Sequence, residues 1–331
     1  MKVVLATKIH RAAVEYLEKS GLEVAIYTEG RIPPREWFCK ELADADALIV
    51  TPLHRIDSEL LQCAPRLQLI VLHGSGFENI DLRSCEERGV CVARVADPIA
   101  YAVAEHALAL TLALLRKLVK AHSYIVSRRW DSGPAPRELL TSSLWGKTVG
   151  IVGMGRIGSL IAKLFRAFDT RIIYWSRRRK VELELALGIE YRELDDLLQE
   201  SDIVILAIAL TPETRHLVNE ERLRKMKRGA IIVNIARGEV IDTQALVRAL
   251  REGWIAGAAL DVFEQEPLPK DHPLIDPENV VLTPHIAGYT YEAMVETGIR
   301  VAQTVVNFLL RGKTPKDFLT PTSCQIRRLR G

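Results

Sequence analysis

Residues 148–162 read TVGIVGMGRIGSLIA. A run of β-forming residues meets a glycine turn and then apolar residues at helical spacing, so the pattern is strand, turn, helix. In the turn, Gly153 permits a tight reversal, Gly155 lets backbone approach a pyrophosphate, and Gly158 allows close packing of helix on strand. The amides at the helix start, around Arg156 and Ile157, together with the helix dipole favour bound phosphate. This is the opening of a dinucleotide-binding unit.

Such units place an acid about 20 residues further on, at the end of the second strand, to take the ribose hydroxyls. Here residues 172–180 read IIYWSRRRK, and Trp175 stands in the acidic slot, followed by Ser176, Arg177 and Arg178. Asp169 is no substitute, because it precedes the strand. A carboxylate would repel a 2′-phosphate, whereas a hydroxyl and guanidinium groups suit one. The stretch therefore favours NADP(H), with NAD(H) possible. Its bland alternative is a solvated basic turn. A nucleic-acid partner is not expected: 45 basic residues against 42 acidic leave a formal charge of only +3, and the run lacks an aromatic platform or a broad basic face.

Working outward, KVVLA, VAIYT, ALIV, LQLIVL and VCVARV read as five strands before residue 97, separated by helical stretches such as HRAAVEYLEKSG and SELLQCA. After residue 147, TVGIVGM, RIIYWS, DIVILAIA, AIIVNIA, IAGAALDVF and NVVLTPHI make a second series of six. Strand–helix alternation of this kind predicts parallel sheets covered on both faces. The fold class is α/β, with two dissimilar doubly wound halves. Between them, residues 99–126 form a long apolar helical stretch suited to a domain or subunit interface, in which His106 reads as a satisfied core or boundary histidine. RRWDSGPAPRELLTSSLWG follows as an exposed arm carrying Trp130. A last helix ends at Gly312, and the basic tail is expected to be mobile.

Hydrophobic residues make up 48% of the 331 and charged residues 26%, an ordinary globular composition. The five cysteines, Cys39, Cys63, Cys85, Cys91 and Cys324, are odd in number and lack metal-type spacing. Reduced thiols in a cytoplasmic protein are expected, with neither a disulfide framework nor a metal site. The N-terminal run reads as a strand, and no apolar run reaches the roughly 18 residues of a membrane span. Few Asn and Gln beside many Arg and Glu hint at a thermophile.

Three later stretches carry chemistry: VNIARGEVID (233–242), ALDVFEQEPLP (259–269) and VVLTPHIAG (280–288). Each begins as a strand and places polar residues at its C-terminal end, where open α/β sheets bind ligands. Together they offer a guanidinium (Arg237), a carboxylate (Glu266) and an imidazole (His285).

In that order, GMGRIG, NIARGEVID, DVFEQEP and TPHIAG resemble the motifs of the D-isomer-specific 2-hydroxyacid dehydrogenases, and HGSGFENID (73–81) resembles their substrate loop. The likeness spans about residues 1–318. Within the family, LTPETRHLVNEERL and IIYWSRRRK look most like glyoxylate/hydroxypyruvate reductases. The resemblance implies a discontinuous, flavodoxin-like substrate domain (1–97 and 287–331) with a Rossmann coenzyme domain (98–286) inserted. It implies that Arg237 holds the carboxylate of a 2-oxo acid, that His285 protonates the carbonyl oxygen during hydride transfer, and that Glu266, immediately before Pro267, orients the imidazole. Glu264 reads as its solvated neighbour. Backbone amides of Ser75 and Gly76 would grip the substrate carboxylate; Thr211, Ala236, Asp261 and Gly288, with His285, would line the coenzyme site, Asp261 reaching the nicotinamide amide.

The resemblance also narrows the substrate. Glu266 departs from the glutamine of formate dehydrogenases, and Ser75 from the lysine of phosphite dehydrogenases. Thr51 and Leu72 stand where phosphoglycerate dehydrogenases use arginines, although Arg55 is nearby. A small 2-oxo acid such as glyoxylate or hydroxypyruvate fits best. D-lactate or 3-phosphoglycerate specificity, or a nucleotide-sensing corepressor, are the alternatives. A homodimer is expected, without a nucleic-acid or membrane partner.

Overall fold

The protein was analysed as a computed structural model, which describes residues 1–326 except Arg31, Ser75, Ser132 and Asp276. The chain divides into two compact units: Met1–Ile99 with the segment from Tyr289 onward, and Ala100–Gly288. The last segment returning to the first unit is the arrangement that the resemblance implied, with the boundaries shifted slightly toward the C-terminus.

In the first unit, β1 (Lys2–Leu5), β2 (Glu23–Ile26), β3 (Ala47–Val50), β4 (Leu69–His73) and β5 (Cys91–Val95) form one parallel sheet in the order β2-β1-β3-β4-β5. This is the flavodoxin-like order. The strands alternate faces with period two. Val3, Leu5, Ala47, Ile49, Leu69 and Val71 face one core, shared with the Arg11–Lys19 and Tyr291–Arg311 helices. Val4, Leu48, Val50, Ile70, Leu72 and Val92 face another, with Phe38, Leu42, Leu60 and Leu61. Burial on both faces explains why these strands read as continuous apolar runs. The Tyr291–Arg311 helix stops at Gly312, whose φ of 62° supplies the left-handed cap.

The second unit holds β6 (Thr148–Val152), β7 (Arg171–Trp175), β8 (Glu190–Tyr191), β9 (Ile203–Leu206), β10 (Ile231–Asn234), β11 (Gly257–Leu260) and β12 (Val280–Leu282). Their order is β12-β11-β10-β9-β6-β7-β8, all parallel. The sheet is a Rossmann sheet with a seventh strand, and its order reverses between β6 and β9. The two-residue β8 was not anticipated, being too short to show alternation.

Four expectations are corrected. The thiols are not all reduced: Cys39 pairs with Cys63 and Cys91 with Cys324, leaving the buried Cys85 free. The second bridge also ties down the start of the tail, where Pro321–Ile326 is helical and Val92 N donates to Thr320 Oγ1 at 2.8 Å, while the basic run 327–331 lies outside the described residues. The long helical stretch is two helices, Asp97–Leu115 and Leu118–Val126, broken where Lys117 takes φ 49°. Finally, Asp97–Leu115 has the length and hydropathy of a membrane-crossing helix, although half of its apolar window is buried inside the protein.

Candidate active site

The glycine turn takes the form its residues require. Gly153 has φ 105°, and a Cβ there would lie 2.5 Å from the Ala207 carbonyl oxygen beyond β9. At Gly158 a Cβ would come within 2.0 Å of the Gly153 carbonyl oxygen, so helix and turn touch only because residue 158 is glycine. Gly155, by contrast, faces open space, with nothing within 4 Å of a Cβ. That is the exposed side a pyrophosphate needs. Behind it, the Arg156–Arg166 helix buries Gly158, Ile161, Ala162 and Phe165 along one stripe, which aims its N-terminus at the turn. The residues present therefore fit a dinucleotide.

β7 ends beside this turn, the Trp175 carbonyl accepting from Gly153 N at 2.8 Å. The three arginines that follow are not equivalent. Arg179 pairs with Glu184 at 2.8 Å, and Glu184 also accepts from the Tyr174 hydroxyl. That pairing, first through Arg179 and then Tyr174, holds the Glu184 carboxyl down to about 2. Arg177 and Arg178 stay exposed outside this network. The Ser176 hydroxyl donates to the Arg178 carbonyl at 2.7 Å and shapes the turn that carries them.

The loops after β9, β10, β11 and β12 supply the other groups. Thr211 N donates to Thr214 Oγ1 at 2.7 Å in a tight turn after β9. After β10, the side chain of Asn234, 1% exposed, accepts from Ala236 N and donates to the Arg237 carbonyl. This amide clamp fixes the loop that presents Arg237, and only its burial distinguishes it from an ordinary strand-end asparagine. Beyond β11, Glu266 Oε1 accepts from Phe263 N at 3.0 Å, while Oε2 lies 2.6 Å from His285 Nδ1.

The electrostatics of that pair are opposed and clear. The hydrogen bond to Glu266 raises His285 above its ordinary value, outweighing burial and the Arg237 charge. Burial pushes the Glu266 carboxyl up, but the bonds from His285 and Phe263 N outweigh it and leave the group lowered. An anionic Glu266 thus faces an imidazole whose protonated form it favours. The Arg237 charge reaches both groups, so the three candidate side chains lie together within the second unit.

Asp261, at the end of β11, is 1% exposed. Its carboxylate accepts from Thr283 Oγ1 at 2.6 Å, Ile286 N at 2.9 Å and Ala287 N at 2.8 Å. Gly288 follows directly. Glu264 is not simply solvated: it lies 3.0 Å from His216 Nε2 and accepts from Thr243 N. Gly76 is buried in the loop after β4 of the first unit, and Ser75 lies outside the described residues.

Residues 108–287 match the family described as D-isomer specific 2-hydroxyacid dehydrogenase, NAD binding domain. A glyoxylate reductase of Pyrococcus furiosus is 44% identical over 330 residues, covering 99% of this chain and 97% of that one. The chain belongs to the D-isomer-specific 2-hydroxyacid dehydrogenase family. As in the family description, its second unit is a nicotinamide-dinucleotide-binding domain. A Thermus thermophilus protein of known structure superposes with TM-score 0.90 at 38% identity, covering 96% of this chain and all of that one. An NADPH-dependent glyoxylate/hydroxypyruvate reductase of Sinorhizobium meliloti, in complex with NADP and malonate, superposes with TM-score 0.86 at 28% identity, covering 97% of each chain.

Proposed function

We propose that this dehydrogenase reduces a small 2-oxo acid, glyoxylate or hydroxypyruvate, to the D-2-hydroxy acid. The observation that carries the proposal is the 2.6 Å contact between His285 Nδ1 and Glu266 Oε2; in this reading it frees Nε2 to carry the proton for the substrate oxygen. When bound, the nicotinamide supplies a hydride to the carbonyl carbon. The Arg237 fork holds the substrate carboxylate, with the amides of Ser75 and Gly76 as further donors. His285 gives its Nε2 proton to the carbonyl oxygen, and in the reverse direction takes it back. Glu266 keeps the imidazole charged until transfer and fixes its orientation. The names of the Pyrococcus and Sinorhizobium relatives support this substrate class.

NADP(H) is the preferred coenzyme in this reading. Gly153, Gly155, Arg156, Ile157 and Gly158 take the pyrophosphate, while Thr211, Ala236, Asp261 and Gly288 flank the nicotinamide half. Ser176, Arg177 and Arg178 take the 2′-phosphate. The exposure of Arg177 and Arg178, outside the Arg179–Glu184 pair, supports this division.

A homodimer is supported by the exposed apolar surface of Leu118, Val119, Ile125, Val126, Trp130 and Trp145. The two disulfides are compatible with a cytoplasmic location, because intracellular proteins of hyperthermophiles are often disulfide-rich. The test of function is product analysis: hydroxypyruvate with NADPH yields D-glycerate, and L-glycerate or no turnover contradicts the proposal.

A further inference from the structure

His285 is one of five non-glycine residues with positive φ among the described residues, at 54°. For such a residue the left-handed region is unfavourable, so the surrounding structure must impose it. What imposes it is Asp261. The amides of three successive residues converge on that one residue: His285 N donates to the Asp261 carbonyl at 2.8 Å, and Ile286 N and Ala287 N donate to its carboxylate. A left-handed residue is what allows neighbouring amides to face a single anion. The Asp261 carbonyl, with the Thr283 carbonyl at 3.0 Å, therefore holds the His285 amide, and the Asp261 carboxylate holds the two residues that follow, so that the left-handed backbone at His285 is fixed from both sides.

The carboxylate is itself braced from a helix that carries none of the residues assigned above. His106, in Asp97–Leu115, places Nε2 at 3.0 Å from Thr283 Oγ1 and 3.5 Å from Asp261 Oδ1. The Thr283 hydroxyl has one proton, and its 2.6 Å bond to the carboxylate uses it. Nε2 of His106 must then be the donor to the Thr283 oxygen, which fixes the proton on that nitrogen. The result is a directed chain from His106 Nε2–H to the Thr283 hydroxyl to Asp261. Burial pushes the Asp261 carboxyl up, while the bonds from His106, Thr283 and the two amides outweigh it and keep the group anionic.

We infer that His106 is a positioning residue: through Thr283 it orients the Asp261 carboxylate that holds the left-handed backbone of His285. The inference rests on the functional reading only in treating His285 as the proton donor. Without the His106 donor, the Thr283 hydroxyl is free to rotate, Asp261 loses a brace, and the imidazole wanders from its bond to Glu266. Misplacement of a reacting group slows the chemical step rather than substrate capture, because Arg237 lies outside this chain.

The experiment compares His106→Phe with His106→Gln, whose amide can donate from nearly the same place. The expected result is that His106→Phe lowers kcat about tenfold while KM for the 2-oxo acid and the unfolding midpoint change little. His106→Gln should restore most of the loss. A kcat for His106→Phe within about twofold of wild type overturns the inference, as does failure of His106→Gln to improve on it. If His106→Phe does not fold, Thr283→Val breaks the same chain from the other side. It should lower kcat about tenfold with KM for the 2-oxo acid little changed, and a kcat within about twofold of wild type overturns the inference. Should the wild type turn over no 2-oxo acid, the functional reading fails separately. The inference is then read from the His285 Nδ1–H resonance, which moves in His106→Phe if the brace is real and stays put if it is not.

Discussion

His285 Nδ1 lies 2.6 Å from Glu266 Oε2, a contact between residues 19 apart in sequence that joins the loops after β11 and β12. It settles two matters at once. The bond fixes the imidazole in the orientation that presents Nε2, and the carboxylate raises the imidazole above its ordinary value. Reduction of a carbonyl needs a proton donor, and an imidazole raised by its carboxylate partner suits that part in the proposed reaction.

The pH dependence follows from the sign of that shift. A raised His285 stays protonated to higher pH, so kcat/KM for reduction is expected to be flat below the His285 value and to fall as pH rises through it. Glu266→Gln removes the main cause of the shift. Its falling limb should move to lower pH, with slower reduction at neutral pH and little change in coenzyme affinity. A pH–rate profile that coincides with wild type would refute the role given to Glu266.

Arg237 is held by the Asn234 clamp, and its charge reaches both members of the pair. Arg237→Ala should cost about 2–5 kcal/mol of transition-state stabilisation, on the order of a hundredfold or more in kcat/KM. Coenzyme binding, measured by fluorescence titration, should stay near wild type. Near-native turnover in the variant would remove Arg237 from the site.

Coenzyme choice is expected to lie with Arg177 and Arg178, because Arg179 is committed to Glu184. Replacing both with alanine should lower the NADPH/NADH ratio of kcat/KM by about 10- to 150-fold for each charge-assisted bond lost, at about 1.5–3 kcal/mol apiece. An unchanged ratio would mean that the basic run is only a solvated turn.

The Cys91–Cys324 bridge closes a loop of 233 residues between β5 and the tail helix. Cys324→Ser, or full reduction, should destabilise the first unit by about 2–4 kcal/mol. Thermal unfolding with and without reductant checks this, and identical midpoints would contradict it.

Much of the fold was legible because both sheets are parallel and buried on both faces. Runs such as ALIV and DIVILAIA are strand-like whichever face they serve. The candidate catalytic side chains stand out in the sequence because they lie just past strand ends beside unusual neighbours, as in NIARGEV and TPHIAG. What escaped depends on contacts distant in sequence. Cysteine pairing between Cys91 and Cys324 follows from tertiary placement alone. Asn234 and His106 look like ordinary strand-end and helix residues until their partners are known. The break at Lys117 has no proline or glycine to announce it, and β8 is too short for a period.

The central claim is tested most directly by steady-state kinetics with NADPH and NADH crossed against glyoxylate, hydroxypyruvate, pyruvate and phosphohydroxypyruvate. The account expects the highest kcat/KM for glyoxylate or hydroxypyruvate with NADPH, and the lowest for the phosphorylated acid. Turnover of none of the four with either coenzyme would contradict it.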